Sequence, residues 1–150
     1  MAVIALLAAC VSVQPAAVQR NGSPAPKPAP GFSAKGSDGA THTLKSLTNN
    51  KTLVLYFISH TCPINADAVQ YYKQISAAYK GKVNFVGVID GDEKVLKEWN
   101  KEHGVKFPVL YDPKMTIIKS YGAQASPWVV VVNPSGQSVS KQEGYSVKLL

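Results

Sequence analysis

The chain alternates short, continuous apolar runs with amphipathic segments, an order typical of an α/β domain. Two runs, residues 53–58 and 83–89, are apolar enough to be strands buried on both faces, as in parallel sheets. A third strand is predicted at residues 127–132. Apolar positions also recur at helical spacing, which predicts helices over about residues 63–80 and 92–102.

Shorter elements complete the predicted order. Residues 32–44 predict a hairpin, residues 112–122 a short helix, and residues 139–143 a returning edge strand. Residues 144–150 have the pattern of a final helix that stops within two turns, and we expect this helix to be truncated. The sequence therefore predicts one α/β domain.

The turn between the first buried strand and the following helix carries the predicted chemistry. Ser59, His60 and Thr61 end the strand, and Cys62 follows where the helix must start. Pro63 suits a first helical position, because its missing N–H is one that no helix start could pair. Free N–H groups and the helix dipole favour a thiolate at this end. We therefore predict a reactive thiol at Cys62; the alternative is a buried, inert cysteine.

Length and charge narrow the class of function. The 150 residues suffice for one ordinary domain, and a 45% hydrophobic content supports a packed core. The formal charge of +7 comes from dispersed lysines, with Arg20 the only arginine. Nucleic-acid sites concentrate their basic residues, so we predict no nucleic-acid partner; weak attraction to an anionic membrane fits better. No Cys/His spacing resembles a zinc site, and we predict neither metal nor cofactor.

Residues 1–20 are interpreted as an export segment. The first nine residues are all apolar, and Leu7-Ala8-Ala9-Cys10 resembles a bacterial lipobox, in which the cysteine is lipidated after cleavage. This predicts a periplasmic or cell-envelope protein with membrane anchoring through Cys10. Two alternatives stay open: secretion after cleavage near Ala16-Ala17, and a cytoplasmic chain with an apolar tail.

A Pro-rich stretch follows the export segment. Residues 21–31 contain four prolines and favour an extended conformation, which would hold a domain away from a surface. We therefore predict a linker at 21–31 and the folded domain at 32–150.

Three stretches together resemble the thioredoxin-like superfamily. They are the strand that leads into Cys62-Pro63, residues 83–112 and residues 121–136. Within the superfamily they resemble the redoxin branch, which spans alkyl hydroperoxide reductase/thiol-specific antioxidant proteins and exported thiol–disulfide oxidoreductases. The resemblance implies a three-layer α/β/α sandwich with a mixed central sheet.

A proline late in the chain adds to the resemblance. In this superfamily a cis-proline precedes a central strand and faces the cysteine, and Pro127 matches that place. The resemblance implies that Ser126 offers backbone groups to an incoming peptide or disulfide, with Trp128 also in the substrate-binding region. The alternative is a trans proline that only starts an edge strand.

The chain departs from both redox patterns of the superfamily. Thioredoxins carry a second cysteine where this chain has Asn65, so no nearby thiol can resolve a mixed disulfide on Cys62. Peroxiredoxins place a hydroxyl where Ser59 stands and add a later arginine, which this chain lacks. His60 could share the thiol proton, or it is a solvent-facing histidine. Asn65 could hydrogen-bond the thiolate or cap the helix.

The sequence therefore predicts an extracytoplasmic, thiol–disulfide oxidoreductase-like redoxin with a single reactive cysteine. Its partners would be a thiol or disulfide substrate, either a protein or a small molecule, and an external reducing thiol. Two alternatives stay open: a one-cysteine thiol peroxidase, and a redox-inactive binding module on the same fold.

Overall fold

A computed structural model describes residues 25–144 of the chain. Cys10 and the predicted helix beyond Gly144 lie outside the described residues. The predicted elements occur in the predicted order, and the structure adds three short ones: strands at Lys27–Pro28 and Val109–Asp112 and a helix at Leu44–Thr48. In chain order they are β1 (Lys27–Pro28), β2 (Ser33–Lys35), β3 (Thr41–Thr43), α1 (Leu44–Thr48), β4 (Leu53–Ile58), α2 (Ile64–Ala78), β5 (Asn84–Asp90), α3 (Glu93–His103), β6 (Val109–Asp112), α4 (Thr116–Ser120), β7 (Trp128–Val132) and β8 (Gln137–Glu143).

Six of these strands form the predicted mixed sheet, in the order β1-β8-β7-β4-β5-β6. The central strand β4 pairs in parallel with β5 and antiparallel with β7. The pair β5 and β6 is also parallel, whereas β7 and β8 are antiparallel. The carboxyl ends of β4, β5 and β6 therefore meet at one edge of the sheet, which is where polar groups gather.

Two hydrophobic clusters cover the two faces of this sheet, which makes the domain a three-layer α/β/α sandwich. Successive side chains of β4 point to opposite faces. Tyr56 and Ile58 pack with the buried residues of α2 and α3, while Leu55 and Phe57 pack with those of α1 and α4. Because both faces are covered, β4 is one continuous apolar run.

The second half of the predicted Pro-rich linker contacts the folded body. Strand β1 pairs antiparallel with the edge of β8. The Ala29 N–H donates to the Gly136 carbonyl at 2.9 Å, and the Tyr121 hydroxyl donates to the Pro30 carbonyl at 2.7 Å. An edge strand tolerates proline because one of its sides needs no N–H donor. Ordered pairing therefore begins upstream of the boundary that composition predicted.

Candidate active site around Cys62

Cys62 lies in the turn between β4 and α2, as predicted. The helix begins at Ile64, and Pro63, just before it, already has helical dihedral angles (φ −61°, ψ −29°). The Cys62 carbonyl accepts the Asn65 N–H at 3.1 Å, which starts the helical hydrogen-bond pattern. The cysteine is a free thiol and is partly exposed. This exposure contradicts the alternative of a sealed core cysteine.

The loop before β7 faces this thiol. The Ser126–Pro127 peptide bond is cis, as the resemblance implied. The Cys62 thiol donates to the Ser126 carbonyl oxygen at an Sγ–O distance of 3.6 Å. Ser126 is partly exposed and Pro127 is buried. The structure therefore brings the predicted cysteine and the predicted proline loop together.

Trp128 lies behind this loop rather than beside the thiol. Its ring is half-buried and packs against the hydrophobic cluster on the α4 face of the sheet. Its indole Nε1 is buried and makes no hydrogen bond. The direct substrate contact that the resemblance implied for Trp128 thus stays a prediction.

Asn65 takes neither of the two roles that its position suggested. Its side-chain Nδ2 donates to the Ser59 carbonyl at 2.6 Å and to the Ser126 hydroxyl at 2.9 Å. Its Oδ1 accepts the Tyr56 hydroxyl at 3.1 Å. The amide therefore joins the cysteine turn to the loop that contains Pro127. Its bonding capacity goes to these groups rather than to the thiol or to a helix cap.

Tyr56 is a buried member of this network that the sequence analysis missed. Burial raises the pKa of Tyr56 well above its usual range, and the nearby Tyr72 and Cys62 add to the effect. The Tyr56 hydroxyl therefore stays protonated and donates to Asn65. Its place in an apolar run concealed it, because a tyrosine there is indistinguishable from a core residue.

Asp90, at the end of β5, is a second residue that sequence reasoning missed. Its Oδ1 accepts both the His60 backbone N–H and, at the same 2.7 Å distance, the His60 Nδ1. Its Oδ2 accepts the Ser59 hydroxyl at 2.9 Å, and Thr61 Oγ1 lies 3.3 Å from that hydroxyl. The carboxylate thus ties down the residues that precede Cys62. His60 Nδ1 hydrogen-bonds to Asp90. That His60 shares the proton of the Cys62 thiol stays a prediction.

One sequence signal could have revealed Asp90. Two parallel neighbouring strands that end together present their next residues at the same sheet edge. Ile58 pairs with Ile89, so the residues that follow them, Ser59 and Asp90, are neighbours. Finding this requires the strand register, which the hydrophobic pattern alone does not specify.

A cavity of about 270 Å³ opens beside the thiol, and Cys62 and Asp90 both line it. Asp90 is the one carboxylate among its described lining residues, and no lysine or arginine lines it. The size approaches the lower end of small-molecule pockets, about 300 Å³. Its apolar wall is formed by Phe57, Ile58, Met115, Ile118, Ala123 and Ala125.

Two further observations concern the described residues 25–144. No group of three or more His, Cys, Asp or Glu side chains is placed to hold a metal ion in this part of the chain. No helix within the same residues combines the length and apolarity needed to cross a membrane.

Comparisons with known proteins place the chain among redox proteins. The AhpC/TSA family description matches residues 25–140. The thiol-disulfide oxidoreductase ResA of Bacillus thuringiensis (strain Al Hakam) is 28% identical over 124 residues, covering 81% of this chain and 71% of ResA. Among solved structures, a secreted Mycobacterium tuberculosis disulfide oxidoreductase homologous to E. coli DsbE has a TM-score of 0.65 and 25% identity, over 77% of this chain and 87% of that one.

A further solved structure supports the fold alone. The pneumococcal exposed lipoprotein thioredoxin Etrx1 from Streptococcus pneumoniae strain TIGR4 superposes with a TM-score of 0.70 at 23% identity. The match covers 78% of this chain and 91% of Etrx1. The arrangement of sheet and helices in this chain is therefore similar to that of a thioredoxin.

Proposed function

We propose, starting from the fact that the chain belongs to the AhpC/TSA family, that it is a thiol–disulfide oxidoreductase with Cys62 as its redox-active thiol. One observation carries the proposal: a free, partly exposed thiol lies 3.6 Å from the backbone carbonyl that precedes a cis-proline, beside an open cavity. The similarity to ResA, a thiol-disulfide oxidoreductase by name, supports the same activity.

The proposed reaction has two exchange steps at Cys62. In the first, the Cys62 thiolate attacks one sulfur of a substrate disulfide; a new S–S bond forms, the substrate bond breaks, and the departing thiolate takes a proton from water. In the second, an external thiolate attacks the substrate sulfur of the mixed disulfide; a new S–S bond joins the external thiol to the substrate, and Cys62 leaves as a thiolate. A second external thiolate then attacks this new disulfide without Cys62; an S–S bond forms between the two external thiols, and the substrate leaves as its second thiolate. Overall, one disulfide is reduced to two thiols while two external thiols are oxidised to a disulfide.

The residues around Cys62 support this chemistry in distinct ways. Cys62 lies two residues before the start of α2, at the positive end of the helix dipole. Ser126 presents its backbone to an extended substrate, next to Pro127. The external thiol is required because Cys62 is the only cysteine within the described residues, and Asn65 stands where an internal resolving thiol would be.

We also propose that the protein acts in the cell envelope, attached through Cys10, with the Pro-rich segment as a spacer. One structural relative supports an extracytoplasmic setting, since it is described as secreted. Release into the medium after cleavage near Ala16-Ala17 is the alternative.

The peroxidase alternative has weaker support from the site. The Ser59 hydroxyl, which matches the peroxiredoxin position, donates to Asp90. Arg20 is the only arginine of the chain, so no arginine follows Cys62 to polarise a peroxide. A binding module without redox activity would leave the partly exposed thiol without a role.

A competition experiment separates these alternatives. The purified protein would be mixed with hydrogen peroxide and a peptide disulfide together, and the Cys62 products identified by mass spectrometry with a sulfenic-acid trap. The proposal predicts mostly mixed disulfide, which an added thiol removes, and no adduct on Cys62→Ser. Mostly trapped sulfenic acid would favour a peroxidase, and no product on Cys62 would favour a binding module.

A further inference from the structure

We infer that Asn65 is a positioning residue, whose side-chain amide clamps the Cys62 turn to the cis-proline loop and so sets the distance between the thiol and the Ser126 backbone. The kinetic consequence of this clamp rests on the proposed function. The existence of the clamp as a set of coupled contacts does not depend on the proposed function and can be tested separately.

The side-chain amide of Asn65 is buried and makes hydrogen bonds through both its oxygen and its nitrogen. Asn65 is only 2% exposed. Its three contacts reach three separate parts of the fold: the Tyr56 hydroxyl in β4, the Ser59 carbonyl in the turn, and the Ser126 hydroxyl 61 residues along the chain. One side chain thus connects the strand, the turn and the loop that together form the site.

Ser126 completes the clamp from the other side. Its hydroxyl oxygen accepts the Asn65 Nδ2 at 2.9 Å and the Ser59 backbone N–H at 2.8 Å. The carbonyl of the same residue faces Cys62 Sγ. Because the hydroxyl is held on the turn side, the backbone of Ser126 is fixed relative to the thiol.

The chemistry of the position requires an amide. Asn65 donates two hydrogen bonds through Nδ2, and its Oδ1 accepts the Tyr56 hydroxyl and also lies 3.2 Å from the Ser126 hydroxyl. Only Asn and Gln carry a carbonyl acceptor and an NH₂ donor on one side chain. Aspartate would offer oxygens alone and would face the Ser59 carbonyl without a proton to share. In a buried place, an unmade hydrogen bond carries a full desolvation cost. Substitution at position 65 should therefore loosen the loop rather than leave it in place.

Loosening should affect two reactions of Cys62 differently. An extended peptide disulfide must meet the thiol and the Ser126 backbone at once, so it depends on their relative position. Iodoacetamide needs only the thiol. A clamp therefore predicts a selective loss of the peptide reaction, whereas damage to the thiol or to the whole fold would slow both.

The test uses Asn65→Ala and Asn65→Asp, with Gln74→Ala on the exposed side of α2 as the matched control. Second-order rate constants are measured with a peptide disulfide and with iodoacetamide. We expect both Asn65 variants to lose at least about tenfold with the peptide and to change by less than about twofold with iodoacetamide. The control should change neither. Equal losses in both reactions, or no loss in either, would overturn the clamp.

A double-mutant cycle tests the contacts without any redox reaction. Unfolding equilibria of Asn65→Ala, Ser126→Ala and the double variant should depart from additivity by more than about twofold in the equilibrium constant. Additive effects would overturn the inference. If the wild-type thiol reacts with the peptide no faster than a free cysteine, the proposed function fails, and the cycle alone then decides the clamp. If Asn65→Ala does not fold, a second cycle replaces the first. It compares the wild type, Tyr56→Phe, Ser126→Ala and the double variant Tyr56→Phe/Ser126→Ala, and it measures the coupling between Tyr56 and Ser126 through Asn65.

Discussion

The Sγ atom of Cys62 lies 3.6 Å from the carbonyl oxygen of Ser126, although 64 residues separate them in the chain. The sheet brings them together, because β4 and β7 are antiparallel neighbours that pair Phe57 with Trp128. The turn after β4 and the loop before β7 therefore meet at the same edge. The reactivity proposed for the thiol depends on this contact between the turn and the loop.

A second thiol at position 65 should convert the single-cysteine site into a dithiol site. In Asn65→Cys the introduced thiol follows Cys62 by three residues, where it can attack a mixed disulfide from within the protein. Release of the peptide from the Cys62 adduct, measured by mass spectrometry without added thiol, should become at least about tenfold faster than in the wild type.

The same substitution removes the amide contacts and should lower the free energy of unfolding by about 1–3 kcal/mol. Asn65→Ser, which removes the amide without adding a thiol, is the matched control and should show no release. Release from Asn65→Ser without added thiol would contradict the single-cysteine mechanism, and an adduct that persists equally in both variants would show that a thiol at position 65 does not reach the Cys62 adduct.

Replacing Asp90 should loosen the residues before Cys62. In Asp90→Asn the charge that accepts the Ser59 hydroxyl and the two His60 donors is lost. Hydrogen bonds to a charged group contribute about 1.5–3 kcal/mol each, part of which the asparagine oxygen keeps. We expect a loss of about 1–3 kcal/mol in urea unfolding, against none for the exposed Glu98→Gln. An unchanged midpoint for Asp90→Asn would show that the carboxylate does not hold this turn.

Asp90 should also set a charge preference for substrates, because it is the one carboxylate among the described residues that line the cavity beside Cys62, and none of those residues is a lysine or arginine. A peptide disulfide flanked by lysine should react about two- to fivefold faster than one flanked by glutamate at low salt. Rate constants measured with both peptides should converge in Asp90→Asn and at high salt. A preference that survives both changes would have to come from another charge.

Three buried tyrosines should make the protein sensitive to alkali. Burial raises the pKa of Tyr56, Tyr72 and Tyr121 well above the ordinary value of about 10. Above that pH the unfolded chain loses these protons while the folded state keeps them, so the unfolded state binds fewer protons and stability falls as pH rises. Below about pH 10 the tyrosines are protonated in both states, and their contribution to the free energy of unfolding is fully present. Urea unfolding at pH values from about 8 to about 11 should show the decline.

The tyrosinate absorbance gives an independent check of that prediction. It should show these three groups titrating only as the protein unfolds, and Tyr56→Phe should reduce the slope of stability against pH. If Tyr56→Phe leaves the slope of the free energy of unfolding against pH unchanged, the loss of stability at alkaline pH must come from other groups, such as the lysines.

The local features of the site could be predicted from the chain because each has a signal within a few residues. The apolar run of β4, the polar residues that end it and Pro63 together placed Cys62 at the start of a helix. Pro127, before the apolar run Trp128–Val132, was placed opposite Cys62 by the resemblance to the thioredoxin-like superfamily. These positions depend on secondary structure and order, which the hydrophobic pattern and turn residues specify.

The polar contacts of the site could not be predicted in the same way, because they depend on strand register. Asp90 and Ser59 are 31 residues apart, and only the pairing of β4 with β5 makes them neighbours. Asn65 was considered because it follows Cys62 by three residues, yet its hydrogen-bond partners include residues of β4 and of the loop before β7. Edge pairing of Lys27–Pro28 is likewise invisible in a Pro-rich composition, which resembles a free linker.

The central claim is that the fold activates one thiol for disulfide exchange. The most direct test is the second-order rate constant for mixed-disulfide formation at Cys62 with a peptide disulfide, compared with that of an unstructured peptide carrying the sequence 59–65. We predict that the folded protein reacts at least about tenfold faster, and that an added thiol then regenerates Cys62. A folded thiol that reacts no faster than the peptide would contradict the account.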